Sequence, residues 1–319
     1  MNLLEQLKTQ TKVVADSGDF ESVKKFKPVD TTTNPSLIYA ASQDPKYAYL
    51  IDGAVAYAKS KSSDRKEQIR IAFEKLFIDF GLEILKMVPG RVSIEVDARL
   101  SFDIEGSVKK ARELIGLFEE AGIDRKRILI KLATTWEGVK AAEILVRDHI
   151  HCNMTLLFTL SQAVACAEAG VQLISPFVGR VLDWYKKNQP ESIFTPENEP
   201  GVLLVRKIFD YYKKFGYETE IMCASFRNSA EIIELAGCDL MTIAPSLLNE
   251  LENTEGLLVQ KLLPEKAKCS DIEKMNLTEN KFRWLLNEDI MATEKLAEGI
   301  RKFTEDIIKL ENMLSNRLI

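Results

Sequence analysis

Eight short runs rich in β-branched or apolar residues constrain this chain more than any other feature: Val13–Ala15, Val29–Thr33, Val92–Val96, Ile128–Ala133, Cys152–Leu157, Leu173–Val178, Glu220–Phe226 and Leu240–Ala244. Most of them lead into a helical pattern. Strands alternating with helices imply βαβ units and a parallel sheet, because parallel neighbours need a crossover connection. Eight such units point to an α/β fold, a closed (β/α)8 TIM barrel, more than to an open doubly wound sheet. An open nucleotide-binding sheet usually carries a glycine fingerprint after its first strand. Here that place holds Asp16-Ser17-Gly18-Asp19, and no G-x-x-x-x-G-K-[ST] occurs anywhere.

The 319 residues would allow two domains, yet barrels of this kind reach such a length as one unit. The expectation is a single domain over 1–319, with C-terminal helices from about 246 to 319 packing on the barrel. Insertions at about Ser36–Leu85 and Leu182–Phe215 leave room for extra helices. Helix starts are written as capping boxes, Thr134 with Glu137 and Thr159 with Gln162, and more weakly as Asn228 with Glu231. Gly170 and Gly237 suit left-handed C-caps. Near the C-terminus, Leu296, Ile300, Phe303, Ile307, Leu310 and Leu314 make an apolar seam, with Glu298–Lys302 and Glu305–Lys309 paired on its solvated side. That seam packs against the barrel or a partner subunit.

Charge and cysteine usage narrow the function classes. With 43 basic and 48 acidic residues the net charge is −5, which argues against nucleic-acid binding. Five cysteines without a C-x-x-C indicate neither a disulfide framework nor a zinc knuckle. The first residues lack a signal-peptide pattern, and the longest charge-free stretch, Cys152 to Ala167, is too short and polar for a bilayer span. A cytoplasmic enzyme or binder is the expectation, with no membrane and no metal. His149 and His151 have no partner at ligand spacing. Cys223 and Cys238 read as small buried apolar residues, and Trp136, Trp184 and Trp284 as packing anchors.

In a barrel, side chains near the C-terminal ends of strands face the active site, and alternation picks out which ones. Val14/Asp16, Ser93/Glu95, Leu129/Lys131, Asn153/Thr155, Ser175/Phe177 and Ser225/Arg227 fit an inward register. Lys131 interrupts the otherwise apolar Ile128-Leu129-Ile130-Lys131-Leu132-Ala133. Burial disfavours an ammonium and favours a neutral amine able to form a Schiff base with a ketone. The other reading is a lysine that snorkels or pairs with Glu95 or Asp16. Asp16 and Glu95 are the acid–base candidates; either can instead be a cap or an ion-pair partner, and Asp97 shares the parity of Glu95. Arg180 and Arg227 follow strand ends, Arg227 just before a helix start, and with Ser225 they fit a phosphate or a plain surface role.

Ile130-Lys131-Leu132-Ala133-Thr134-Thr135-Trp136-Glu137-Gly138-Val139 resembles the active-site lysine motif of transaldolases, and Asp30-Thr31-Thr32-Thr33-Asn34-Pro35-Ser36-Leu37-Ile38 resembles their second-strand signature. Val13-Val14-Ala15-Asp16-Ser17-Gly18-Asp19 and Ser175-Pro176-Phe177-Val178-Gly179-Arg180 are also similar to that family, and the likeness covers essentially the whole chain. It is closest to the classical bacterial and eukaryotic type. One departure is Thr31, where a small residue such as Ala is usual.

The resemblance implies a cofactor-free, commonly dimeric enzyme of the pentose phosphate pathway. It would move a dihydroxyacetone unit from sedoheptulose 7-phosphate or fructose 6-phosphate to glyceraldehyde 3-phosphate or erythrose 4-phosphate. By motif, Lys131 forms the Schiff base, Asp16 handles the C4 hydroxyl proton, and Glu95 serves imine formation with a water and Thr155. Asn34, Asn153 and Ser175 would hold donor hydroxyls; Arg180, Arg227 and Ser225 the distal phosphate; Phe177 would line the pocket. The rivals are a fructose 6-phosphate aldolase that releases dihydroxyacetone, whose small relatives typically have Gln and Tyr at positions 95 and 177, and a catalytically silent sugar-phosphate-binding barrel.

Overall fold

A computed structural model describes residues 1–318. Eight parallel strands close in sequential order: β1 (Lys12–Asp16), β2 (Asp30–Thr32), β3 (Val92–Glu95), β4 (Ile128–Ala133), β5 (Cys152–Leu157), β6 (Leu173–Pro176), β7 (Glu220–Cys223) and β8 (Leu240–Ile243), with β8 returning to β1. The expected (β/α)8 barrel is therefore present. One face of each strand packs against surrounding helices in the main core. The other face fills the barrel, where Val14, Leu129, Leu173, Met222 and Leu240 form a separate apolar cluster. The first insertion folds into helices Pro35–Ser42, Ala48–Lys61 and Arg65–Leu85; the second holds helices Gly179–Asn188 and Pro200–Phe215.

Local signals fared unevenly. Thr159 and Gln162 make a complete capping box. Gly170 and Gly237 both have φ in the left-handed region. The Thr134 box is wrong by one residue: Thr135 Oγ1 accepts from the Gly138 N–H, whereas Thr134 Oγ1 donates to the Thr155 carbonyl on the neighbouring strand β5. Glu137 is drawn instead to Arg283. Asn228 caps the Glu231 N–H, but the Glu231 carboxylate reaches back one residue further than expected, to the Arg227 N–H.

The C-terminal helix Ile290–Arg317 lies across the barrel mouth. It is fastened by Trp184 to Glu294, Ser36 to Asp306 and Arg99 to Glu311. Its seam residues Leu296, Phe303, Ile307, Leu310 and Leu314 are buried. Gly299 permits the approach, since a Cβ there would stand 2.5 Å from Leu156 Cδ2. Of the expected surface pairs, Glu298–Lys302 forms, but Lys309 pairs with the nearer Asp306 rather than Glu305. Trp284 is no packing anchor: it is 61% exposed on the solvent side of helix Glu279–Glu288, whose buried aromatic is Phe282.

Candidate functional site

The parallel pairing of β3 with β4 sets Glu95 beside Lys131 in register, and both side chains point into the barrel. Lys131 Nζ lies 3.2 Å from Glu95 Oε2 and donates to the Thr33 carbonyl at 3.2 Å. The ion-pair reading of Lys131 is thus realised with Glu95, and it does not compete with the chemical one, because the amine also opens onto the central cavity. Asp97 drops out of the assignment: it turns away to Arg99.

Asp16 approaches from β1. Its Oδ1 accepts from Thr32 Oγ1 at 2.8 Å, and Thr32 is bonded in turn to Thr242. Burial pushes both carboxyls above their ordinary values, and the Lys131 charge offsets part of that rise in each. For Asp16 the Thr32 hydrogen bond also favours the ionised form. Two carboxyl groups thus flank one amine, Glu95 in the barrel interior and Asp16 in the cavity wall.

Above this cluster lies a cavity of about 210 Å³, lined by Asp16, Asn34, Lys131, Thr155, Ser175, Phe177, Arg180, Ser225 and Arg227 among others. Asn34 caps helix Pro35–Ser42. Asn153 lies beneath the floor, where its amide donates to Ser93 and accepts from Ser175. Thr155 lines the cavity, and its Oγ1 makes no hydrogen bond to the described residues, which leaves it free to bond what the cavity holds. Glu95 lines an adjoining smaller cleft rather than the central cavity. At the mouth, the Arg180 guanidinium stacks over Phe177 at 4.8 Å and has no ion-pair partner among the described residues. Burial lowers its pKa first, and the nearby Arg227 charge adds to that. Arg227 differs, since its guanidinium holds Asp183 at 2.8 Å.

The inward register fails at β7. Met222 and Ala224, not Ser225 and Arg227, continue the inner face. Ser225 has φ 63°, and this left-handed turn swings Ser225 and Arg227 back onto the cavity after the strand has ended. Sequence reading also missed Phe303, which reaches down from the C-terminal helix to place its ring 5.7 Å from both Lys131 Nζ and the Arg180 guanidinium. Phe303 was visible only as one member of an apolar seam. Thr32 and Thr242, the hydroxyl pair behind Asp16, were missed as well; their parity inside short strands was the available signal.

An amine among carboxyls at the C-terminal ends of barrel strands defines a (β/α)8 barrel enzyme with its chemistry at the open mouth. A model of the Transaldolase/Fructose-6-phosphate aldolase family matches residues 13–314, and the chain belongs to that family. It is 58% identical over 319 residues to a probable transaldolase of Drosophila melanogaster, covering 100% of this chain and 96% of that one. It is 57% identical over 316 residues to the transaldolase of Homo sapiens, covering 99% and 94%. The transaldolase of Shewanella sp. (strain W3-18-1) is 57% identical over 317 residues, covering 99% of each chain.

Proposed function

We propose that this chain is a transaldolase that transfers a dihydroxyacetone unit between sugar phosphates through a Schiff base on Lys131. The transferase activity follows from family and near-complete likeness to curated transaldolases. The observation that carries the residue roles is Lys131, buried between Glu95 and the Thr33 carbonyl yet open to the cavity that Asp16 and Arg180 also line.

Lys131 Nζ adds to the C2 carbonyl of the ketose phosphate. Glu95, through a water and with Thr155 on the cavity wall, supplies and removes the protons as the carbinolamine oxygen leaves as water. The protonated imine then accepts the electron pair of the C3–C4 bond while Asp16 takes the proton of the C4 hydroxyl. The aldose phosphate departs, and the enamine left on Lys131 attacks the aldehyde of the acceptor as Asp16 returns its proton to the new hydroxyl; water then hydrolyses the imine and frees Lys131 and the product. Asn34 and Ser175 orient donor hydroxyls from the cavity wall, and Asn153 supports them from beneath through its bond with Ser175. Arg180 is the stronger phosphate ligand, lacking any carboxylate to displace, while Arg227 must share its charge with Asp183. Phe177 and Phe303 line the mouth.

The same reading makes the chain one barrel domain, with helices from about 246 packed on it. It is cofactor-free, homodimeric, cytoplasmic and part of the non-oxidative pentose phosphate pathway; each of these rests on family membership. Among the described residues no helix is long and apolar enough to cross a membrane.

Borohydride trapping tests the mechanism. Incubation with fructose 6-phosphate, reduction and peptide mapping should yield a dihydroxyacetone adduct on Lys131. Sugar phosphate bound without an adduct would sink the lysine mechanism and favour a silent binder. Aldose phosphate formed continuously without acceptor would favour a releasing aldolase.

A further inference from the structure

Behind the mouth arginines lies a pair of carboxyl groups that the reaction does not use. Glu199 immediately precedes helix Pro200–Phe215, and Glu231 stands in the first turn of helix Ser229–Glu234. They are 4% and 0% exposed. Glu231 commits Oε2 to the backbone N–H of Arg227 at 2.7 Å. Oε1 of Glu231 and Oε1 of Glu199 receive no N–H or O–H from the rest of the protein. Glu199 and Glu231 come together where helix Pro200–Phe215 meets helix Ser229–Glu234, a contact that Arg206 and Glu234 also bridge. Two ionised carboxylates are both acceptors, so a hydrogen bond between them requires a proton. Two like charges packed together away from water do not both ionise.

The pair acts on the arginines through the backbone. Ser225 is held in a left-handed conformation and Arg227 follows directly. The Gly179 N–H donates to the Ser225 carbonyl at 2.9 Å, and a Cβ on Gly179 would stand 2.4 Å from Arg227 Cγ. The turn carrying Arg180 is therefore pressed against the segment carrying Arg227. Asp183, one turn on from Arg180, fixes the Arg227 guanidinium. A shift of residues 225–227 moves both cations.

We propose that Glu199 and Glu231 share one proton and thereby act as positioning residues, holding the Ser225–Arg227 segment so that Arg180 and Arg227 meet the distal phosphate of the substrate. This rests on the reading that these arginines bind that phosphate. Burial first, and then the Glu231 partner, push the Glu199 carboxyl up to about 8. The other charges facing the pair are Lys186 and Asp183 on helix Gly179–Asn188 and Arg227 itself. Arg206 and Lys261 are taken up by Glu234. Loss of the proton leaves two buried carboxylates in repulsion, and the segment loosens.

The readouts are KM for fructose 6-phosphate and the inhibition constant of inorganic phosphate, followed between about pH 7 and about pH 9. In the wild-type enzyme both should rise about tenfold across that range, the scale of one charge-assisted hydrogen bond, while kcat changes less. Glu199→Gln offers Glu231 a permanent N–H donor of the same shape; it should match wild type near pH 7 and flatten the rise. Glu199→Ala should show the weakened phosphate affinity already at pH 7. A Glu199→Gln enzyme that keeps the wild-type rise, or a wild type that shows none, overturns the shared proton. Arg180→Ala separates the two levels: if it leaves KM and phosphate inhibition unchanged, the phosphate reading itself fails and this inference falls with it.

Discussion

Val14 and Asp16, Leu129 and Lys131, Leu173 and Ser175, and Leu240 and Thr242 are same-face neighbours on four strands of one barrel, yet each pair divides between opposite environments. The lower members form a closed apolar cluster with Met222. The upper members, about 7 Å further along each strand, meet Glu95, Thr32 and Asn153 in a network of charges and hydroxyls. The lower layer gains free energy from burial, about 1.5–3 kcal/mol for a leucine-sized side chain. The upper layer holds an ammonium and two carboxyls withdrawn from water, an arrangement whose desolvation offsets much of its Coulombic attraction. One step along the strand separates what holds the barrel together from what it is held together for.

Lys131→Ala puts the largest effect on that division. Turnover should fall by at least about four orders of magnitude, because no other lysine lines the cavity. Thermal unfolding should stay cooperative, since the lower layer is untouched. A variant that keeps a tenth of the activity breaks the comparison. Leu129→Ala is its mirror image. Denaturant titration should show a loss of about 2–5 kcal/mol for an enclosed leucine, with kcat/KM within about threefold of wild type. A stable but inactive Leu129→Ala enzyme would mean that the layers are not separable.

A third test sharpens the electrostatics of the upper layer. Asp16 works as a base only when ionised, and burial raises its pKa against the help of Lys131 and the Thr32 hydroxyl. The acid limb of kcat/KM should therefore lie above the range of an exposed aspartate, and Thr32→Val should move it higher still. A limb unmoved, or moved down, would remove Asp16 from that role. The sign for stability is also set. Asp16 and Glu95 hold protons more tightly folded than unfolded. Their contribution is thus fully present below the unfolded carboxyl range and is lost as pH rises through the raised values.

The lower layer and the strand order were legible in the sequence because both follow from strict alternation and a repeated βα pattern. Lys131 was legible for the same reason, as the one charge in an apolar run, and Glu95 followed from parity on the strand before it. Alternation also explains the failures. It stops predicting where the backbone leaves extended geometry, so Ser225 and Arg227 reach the cavity from a left-handed turn that no parity rule anticipates. Thr134 and Thr135 offer the same hydroxyl to a helix start, and only the Thr155 carbonyl on the neighbouring strand decides between them. Phe303 comes from a helix more distant in sequence than any strand, and its neighbours in the seam are chemically indistinguishable from it until the helix is laid over the mouth.

Thr31 allows the smallest and most specific test. Thr32, next to it on β2, turns its hydroxyl to Asp16; Thr31 faces the opposite way, away from the barrel interior. It is fully buried, and its Oγ1 meets no hydrogen-bond partner. An unpartnered hydroxyl outside the upper layer brings a desolvation cost of about 1–3 kcal/mol with nothing to offset it. Valine keeps the β-branched shape and removes only the polar atom, whereas alanine would also leave a void. Thr31→Val should therefore raise the midpoint of thermal unfolding modestly and leave kcat and KM unchanged. An equal change at Thr32 should lower activity instead, through Asp16. If Thr31→Val lowers the midpoint, its hydroxyl has a role on the helix-facing side of β2, and polar groups of this barrel cannot be sorted by the face of the strand they occupy.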